Sequence, residues 1–136
     1  MPRILVVEDV DEMRLLLQQM LEGIPGVKVS GLAANGWDAR VEVSRRRPDL
    51  VLLDEILPGE SSLDLLLELT EQEVPVLLIT VVSDPRHELP PQALGRAIKP
   101  GWKSLEQDKQ RFALEIQKAL SIQSVRGGSS GKGRVD

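Results

Sequence analysis

The chain has 136 residues, 41% of them hydrophobic and 28% charged, with a formal net charge of −4. That length and composition suit one domain with a real core, and the acid excess argues against general nucleic-acid binding. Cysteine is absent, which excludes disulfide and thiol chemistry; Phe and Trp are scarce and Tyr is absent, which removes base-stacking platforms.

The chain opens on Ile4-Leu5-Val6-Val7, a short apolar run that ends at Glu8-Asp9. It reads as a first strand; running straight into acids, it is no signal peptide. Asp11 is expected to N-cap a helix through Met13, Leu16, Leu17, Met20 and Leu21, which recur at helical spacing. The stretch from Gly23 to Gly26, with Pro25, stops it. Val27, Val29 and Gly31-Leu32 suggest a second strand, less apolar and so nearer an edge. Asn35-Gly36 marks a turn, and a helix from Trp37 to Arg46 ends before Pro48. Arg45-Arg46-Arg47 reads as a solvated helix end rather than a docking patch.

Leu50-Val51-Leu52-Leu53 then runs into Asp54, with Pro58-Gly59 close behind. A continuous apolar run between turn signals is expected of a strand buried on both faces, the habit of a parallel sheet. A helix through Leu63, Leu66, Leu67 and Leu69 follows. Val76 to Thr80 is a fourth strand, Ala97-Ile98-Lys99 a weak fifth, and Leu105, Phe112, Ile116, Ala119 and Leu120 line a last helix. Between the fourth and fifth strands, Pro85, Pro90 and Pro91 leave room only for a short or irregular helix, so His87 reads as a solvated loop residue. Strands alternating with helices imply right-handed βαβ units. The expected layout is a domain over residues 1–122 and a flexible tail or linker over 123–136, where no apolar period survives. No run approaches transmembrane length, so the expected protein is soluble and cytoplasmic.

Parallel strands send their carboxyl ends to one rim, where open α/β sheets bind ligands. Four stretches deliver Glu8, Asp9, Asp54, Thr80 and Lys99 there. Three clustered carboxylates need a counter-charge, and Mg²⁺, which takes carboxylate, water and phosphate oxygens, supplies one. An Asp can attack phosphorus to give an aspartyl phosphate. Lys99 would neutralise phosphoryl oxygens and Thr80 would hydrogen-bond one of them.

Val6-Val7-Glu8-Asp9, Pro48 to Asp54 with Pro58-Gly59, Thr80 and Lys99-Pro100 together resemble the receiver domain of two-component response regulators. The resemblance runs from about Arg3 to Leu120. It implies a CheY-like, flavodoxin-like fold: a five-stranded parallel sheet of order 2-1-3-4-5 with helices on both faces. It implies Mg²⁺-dependent phosphorylation of Asp54 by a histidine kinase or histidine phosphotransfer protein, switching a surface read by a downstream effector or a second copy. Glu8 and Asp9 form the acid pocket, with Asp9 the more direct metal ligand, and the carbonyl of Ile56 faces the metal. Thr80 and Lys99 contact the phosphoryl group. Such a domain is a phosphoacceptor that assists its own transfer and dephosphorylation, not an enzyme on a separate substrate, and it binds neither nucleic acid nor membrane directly. Lys99-Pro100 is often cis in such domains. The stretch Val10 to Leu16 resembles chemotaxis methylesterase receivers.

Departures are visible too. Ser62 stands where receivers usually carry glycine, and Val81, usually a small residue, is expected to narrow the way to Asp54. Arg96 replaces the aromatic that usually moves on activation, so the usual coupling of that position to Thr80 is not to be assumed. Ile56 and Val82 occupy the positions that orient attacking water; both are apolar, which predicts slow self-dephosphorylation. These departures sustain an alternative, a phosphorylation-independent pseudo-receiver that acts as an interaction module. A flavodoxin-type cofactor carrier would need a hydroxyl- and glycine-rich phosphate loop after the first strand, where this chain has Glu8-Asp9-Val10-Asp11-Glu12.

Overall fold

The computed structural model describes residues 1–81 and 88–132, with side chains described up to residue 122. Elements follow one another as β1 (Arg3–Val7), α1 (Asp11–Glu22), β2 (Lys28–Ala33), α2 (Gly36–Arg45), β3 (Leu50–Asp54), α3 (Ser62–Glu71), β4 (Val76–Thr80), β5 (Gly95–Ile98) and α4 (Leu105–Lys132). The strands form one parallel sheet of order β2-β1-β3-β4-β5, as expected. The chain thus reverses its direction of travel between β1 and β3, the switch point at which such sheets open a crevice.

The apolar run of β3 is explained by its place. It pairs with β1 on one side and β4 on the other, and all of its residues are buried. Successive side chains point to opposite faces. Leu50 and Leu52 enter a core with Leu17, Leu21, Phe112 and Ile116, under α1 and α4. Val51 and Leu53 enter a second core with Ala39, Leu65, Leu66 and Leu69, under α2 and α3. Each fully buried Leu contributes roughly 1.5–3 kcal/mol by leaving water, so β3 anchors both layers at once. Strand β2 lies at the sheet edge and is mostly half-buried, which accounts for its weaker apolar pattern.

Several boundaries differ from expectation for local reasons. The N-cap of α1 is Val10, with no side-chain cap; Asp11 is the first helical residue and pairs with Arg14 instead. An acid there still favours the positive end of the helix dipole. Asn35 caps α2 by accepting from the Asp38 amide at 2.8 Å, so the turn signal marks a helix start. The Lys99–Pro100 bond is trans, since no cis peptide occurs among the described residues; trans remains the lower-energy isomer before proline. Residues 88–94 form a turn and no helix; Val82, Pro85 and His87 lie outside the described residues. The helical backbone of α4 reaches Lys132, and its core contacts, among the described residues, end at Leu120. Residues 133–136 of the expected tail also lie outside the described residues.

Phe112, the one Phe of the chain, is fully buried where α4 meets the sheet. Replacing it with Ala should cost about 3–5 kcal/mol. Urea unfolding should show this as a lower midpoint with an unchanged slope.

Candidate functional site

The site grows out of the carboxyl ends of β1, β3, β4 and β5. The Glu8 amide donates to the Ala33 carbonyl at 2.9 Å, which extends the sheet one residue past β1 and seals Glu8 in the interior. The loop after it is then wound tightly: the Val10 amide donates to Glu8 Oε2 at 3.1 Å. From the first turn of α1, Arg14 reaches back and donates to the Glu8 carbonyl at 2.9 Å. Asp54 closes β3, paired with Ile79 of β4. One of its carboxylate oxygens, Oδ1, accepts the Ile56 amide at 3.0 Å, which fixes the rotamer. The turn beyond uses Pro58-Gly59; Gly59 has φ 80°, a conformation open to glycine, and Leu57 bridges back to Glu60.

Glu8, Asp9 and Asp54 each bring a carboxylate oxygen within 4.8 Å of one another. Lys99 Nζ enters this cluster from the end of β5, 2.7 Å from Glu8 Oε1 and 3.0 Å from Asp54 Oδ2. Its backbone amide is held by the Thr80 carbonyl at 2.7 Å, which sets Lys99 beside the end of β4. Glu8 is fully buried and the Asp54 side chain is 6% exposed. Two carboxylates thus share one ammonium with a third carboxylate beside them, and the charges do not balance.

The titration of these groups follows from that imbalance. Burial pushes the Glu8 carboxyl above its usual range; the Lys99 ammonium and the Val10 amide pull it back, and Asp54 pushes it further up. Burial opposes the charged form of Lys99, yet Glu8 and Asp54 outweigh it and hold its ammonium above the usual lysine value. Glu8 Oε1 is buried, and the Lys99 ammonium lies 2.7 Å from it. A hard divalent cation suits such a donor set: oxygen ligands, clustered and negative.

The sequence-predicted residues Glu8, Asp9, Asp54 and Lys99 are therefore brought together. Thr80 stands half-buried at the end of β4, and Ile56 engages Asp54 through its amide while its side chain is exposed. Val81 is 69% exposed and lines an open cleft of about 530 Å³ with Val10, Met13, Lys99 and Trp102. The structure also adds residues that sequence reasoning did not single out as supports. Ser62 is buried and its hydroxyl donates to the Asp54 carbonyl at 2.8 Å. Arg96 Nε and Nη2 engage Glu55 Oε1 and Oε2 at 2.6 and 3.0 Å. A basic residue one turn into α1 after an acid pair was a local signal for Arg14; nothing local links Arg96 to Glu55, 41 residues away.

A family profile described as "Response regulator receiver domain" matches residues 4–95. Over 88 residues the chain is 35% identical to protein-glutamate methylesterase/protein-glutamine glutaminase 2 of Methanosarcina acetivorans, which covers 64% of this chain and 25% of that protein. The chain spans between 22% and 39% of the length of the curated relatives it matches. The response regulator domain of Thermotoga maritima CheB has the same fold, with TM-score 0.74 and 22% identity over 88% of this chain and 96% of that one. The response regulator TrrA from Thermotoga maritima, solved in complex with Mg²⁺-BeF, is 29% identical with TM-score 0.68, covering 88% of this chain and 99% of that one.

Ser62→Ala should leave the Asp54 carbonyl without this donor and cost about 1–3 kcal/mol, the penalty for an unsatisfied buried acceptor. Denaturant unfolding checks the size, and a Ser62→Thr variant that keeps the hydroxyl should lose less.

Proposed function

The chain belongs to the response regulator receiver domain family, and on that premise we propose that it is a signalling switch whose phosphoacceptor is Asp54. The observation that carries this reading is the shared ammonium: Lys99 bridges Glu8 and Asp54 inside a cluster of three carboxylates. A lone turn-forming Asp has no need of that arrangement.

The donor is a phosphohistidine on a kinase or phosphotransfer protein. A carboxylate oxygen of Asp54 attacks phosphorus, the P–N bond breaks, and the electron pair returns to the imidazole, which takes up a proton. Lys99 turns from balancing two carboxylates to meeting the phosphoryl oxygens, and Thr80 donates its hydroxyl to another of them. The Ile56 amide, already on Asp54 Oδ1, holds the acceptor in one rotamer during attack. Asp9, Asp54 and the Ile56 carbonyl, with Glu8 beside them, would hold Mg²⁺, which when bound offsets the charge gathering on the phosphoryl oxygens. The binding of Mg²⁺-BeF by TrrA supports this assignment by similarity. The modified state presents an altered surface to an effector protein or a second copy, in the cytoplasm, with residues beyond about 122 serving as a tail or linker. Among the described residues, no helix is long and apolar enough to cross a membrane. The methylesterase activity named for the relatives is not proposed for this chain, which matches 25% of the length of the Methanosarcina acetivorans protein.

Intact-protein mass after incubation with acetyl phosphate and Mg²⁺ tests the reading. The expected result is a gain of one phosphoryl group, absent without the metal and absent in Asp54→Ala. No gain would favour the interaction-module alternative. The modified protein should also lose its phosphoryl group slowly, because the exposed Ile56 side chain has no group to orient water. A time course of the mass follows this, and Ile56→Asn should decay faster.

A further inference from the structure

Arg96 occupies β5 level with Leu78 of β4, and Leu78 is level with Leu53 of β3. Glu55 follows Asp54, whose partner is Ile79, and the Glu55 amide donates to the Ile79 carbonyl at 3.0 Å. Continuing that register puts Glu55 level with Thr80. Side chains of alternate residues share a face, so Leu78, Thr80, Arg96 and Glu55 lie on one side of the sheet, the side of the second core. The ion pair from Arg96 to Glu55 therefore crosses β4 diagonally over the Leu78–Thr80 stretch, one pleat out of register. It is a two-point contact, Nε to Oε1 at 2.6 Å and Nη2 to Oε2 at 3.0 Å. Its partners are 14% and 26% exposed, so water screens it less than an open surface pair. Nη2 makes a further long contact, 3.4 Å, with the Glu88 carbonyl in the segment leading into β5.

From this geometry we propose that the Arg96–Glu55 pair is a strap across β4 that positions Thr80 and the segment around Glu88 in the resting arrangement. The proposal rests on the phosphoacceptor reading and adds a regulator to it. Planar, two-point guanidinium–carboxylate pairing fixes direction as well as distance. On this proposal, a shift of Thr80 toward a phosphoryl group on Asp54 disturbs a strap that passes over its stretch of β4 and is anchored on the residue next to the acceptor. A contact that holds the resting arrangement biases the equilibrium against the modified one. Arg96 and Glu55 are thus positioning residues, acting through Thr80.

The test uses the full chain and compares wild type, Glu55→Gln, Arg96→Met, and the charge swap Glu55→Arg with Arg96→Glu. Incorporation from acetyl phosphate with Mg²⁺ should be about fivefold faster in each single variant, the scale expected for a partly buried pair. The charge swap should return toward wild type, and added salt should speed wild type more than the single variants. In the unmodified proteins, hydrogen exchange across residues 88–95 should rise in both single variants and fall back in the swap. Equal incorporation rates in wild type and single variants would overturn the strap while leaving Asp54 phosphorylation standing. If no protein incorporates phosphate, the phosphoacceptor reading falls, and exchange alone decides the strap: a rise in both single variants supports it, and no rise overturns it.

Discussion

The structure depends on one ammonium set between two buried carboxylates. Lys99 lies 2.7 Å from Glu8 and 3.0 Å from Asp54, with Asp9 close by. Removing charges from water is costly, and a buried pair repays this only when geometry and further hydrogen bonds are good. The fold meets that condition in part. Val10 and Ile56 each spend a backbone amide on a carboxylate oxygen, and Arg14 satisfies the Glu8 carbonyl. What is left over, an excess of negative charge among clustered carboxylates, is the chemical character of the site.

The sheet makes this affordable. Parallel pairing leaves no choice about where strand ends go, so the acids after β1, the acid ending β3 and the lysine after β5 meet on one rim. Strand β3 is buried along its whole length and packs into both cores, which seats Asp54 at the end of a strand fixed on both faces. Strand β5 lies at the sheet edge, and the segment entering it is a turn rather than a helix.

Two departures from the family pattern acquire a physical account. Ser62 in a glycine position is a supporting residue, since its hydroxyl donates to the last carbonyl of β3. Arg96 in an aromatic position exchanges a side chain that packs for one that pairs, and its partner is the neighbour of Asp54. Where the family carries an aromatic, an electrostatic contact spans β4. Both changes act on the backbone of the acceptor or the residue beside it, not on the acid cluster itself.

The fold was legible in the sequence because burial on two faces demands unbroken apolar runs, and helical faces demand a longer period; Leu50 to Leu53 and the Leu16-Leu17-Met20-Leu21 set each allow one reading. The acid cluster was legible for a related reason: parallel strands turn scattered strand-end residues into neighbours. Local rules served less well where two of them competed. Asp11 had the chemistry of a cap, but Arg14 drew its side chain into an ion pair and Val10 took the cap position. The supporting contacts were decided only in three dimensions. Ser62 to the Asp54 carbonyl and Arg96 to Glu55 depend on rotamer, register and strand twist, which no periodicity encodes. Sequence determined which residues reach the rim, because burial and pairing act on residue type; the tertiary structure decided which of them touch, because contact depends on distances of a few tenths of an ångström.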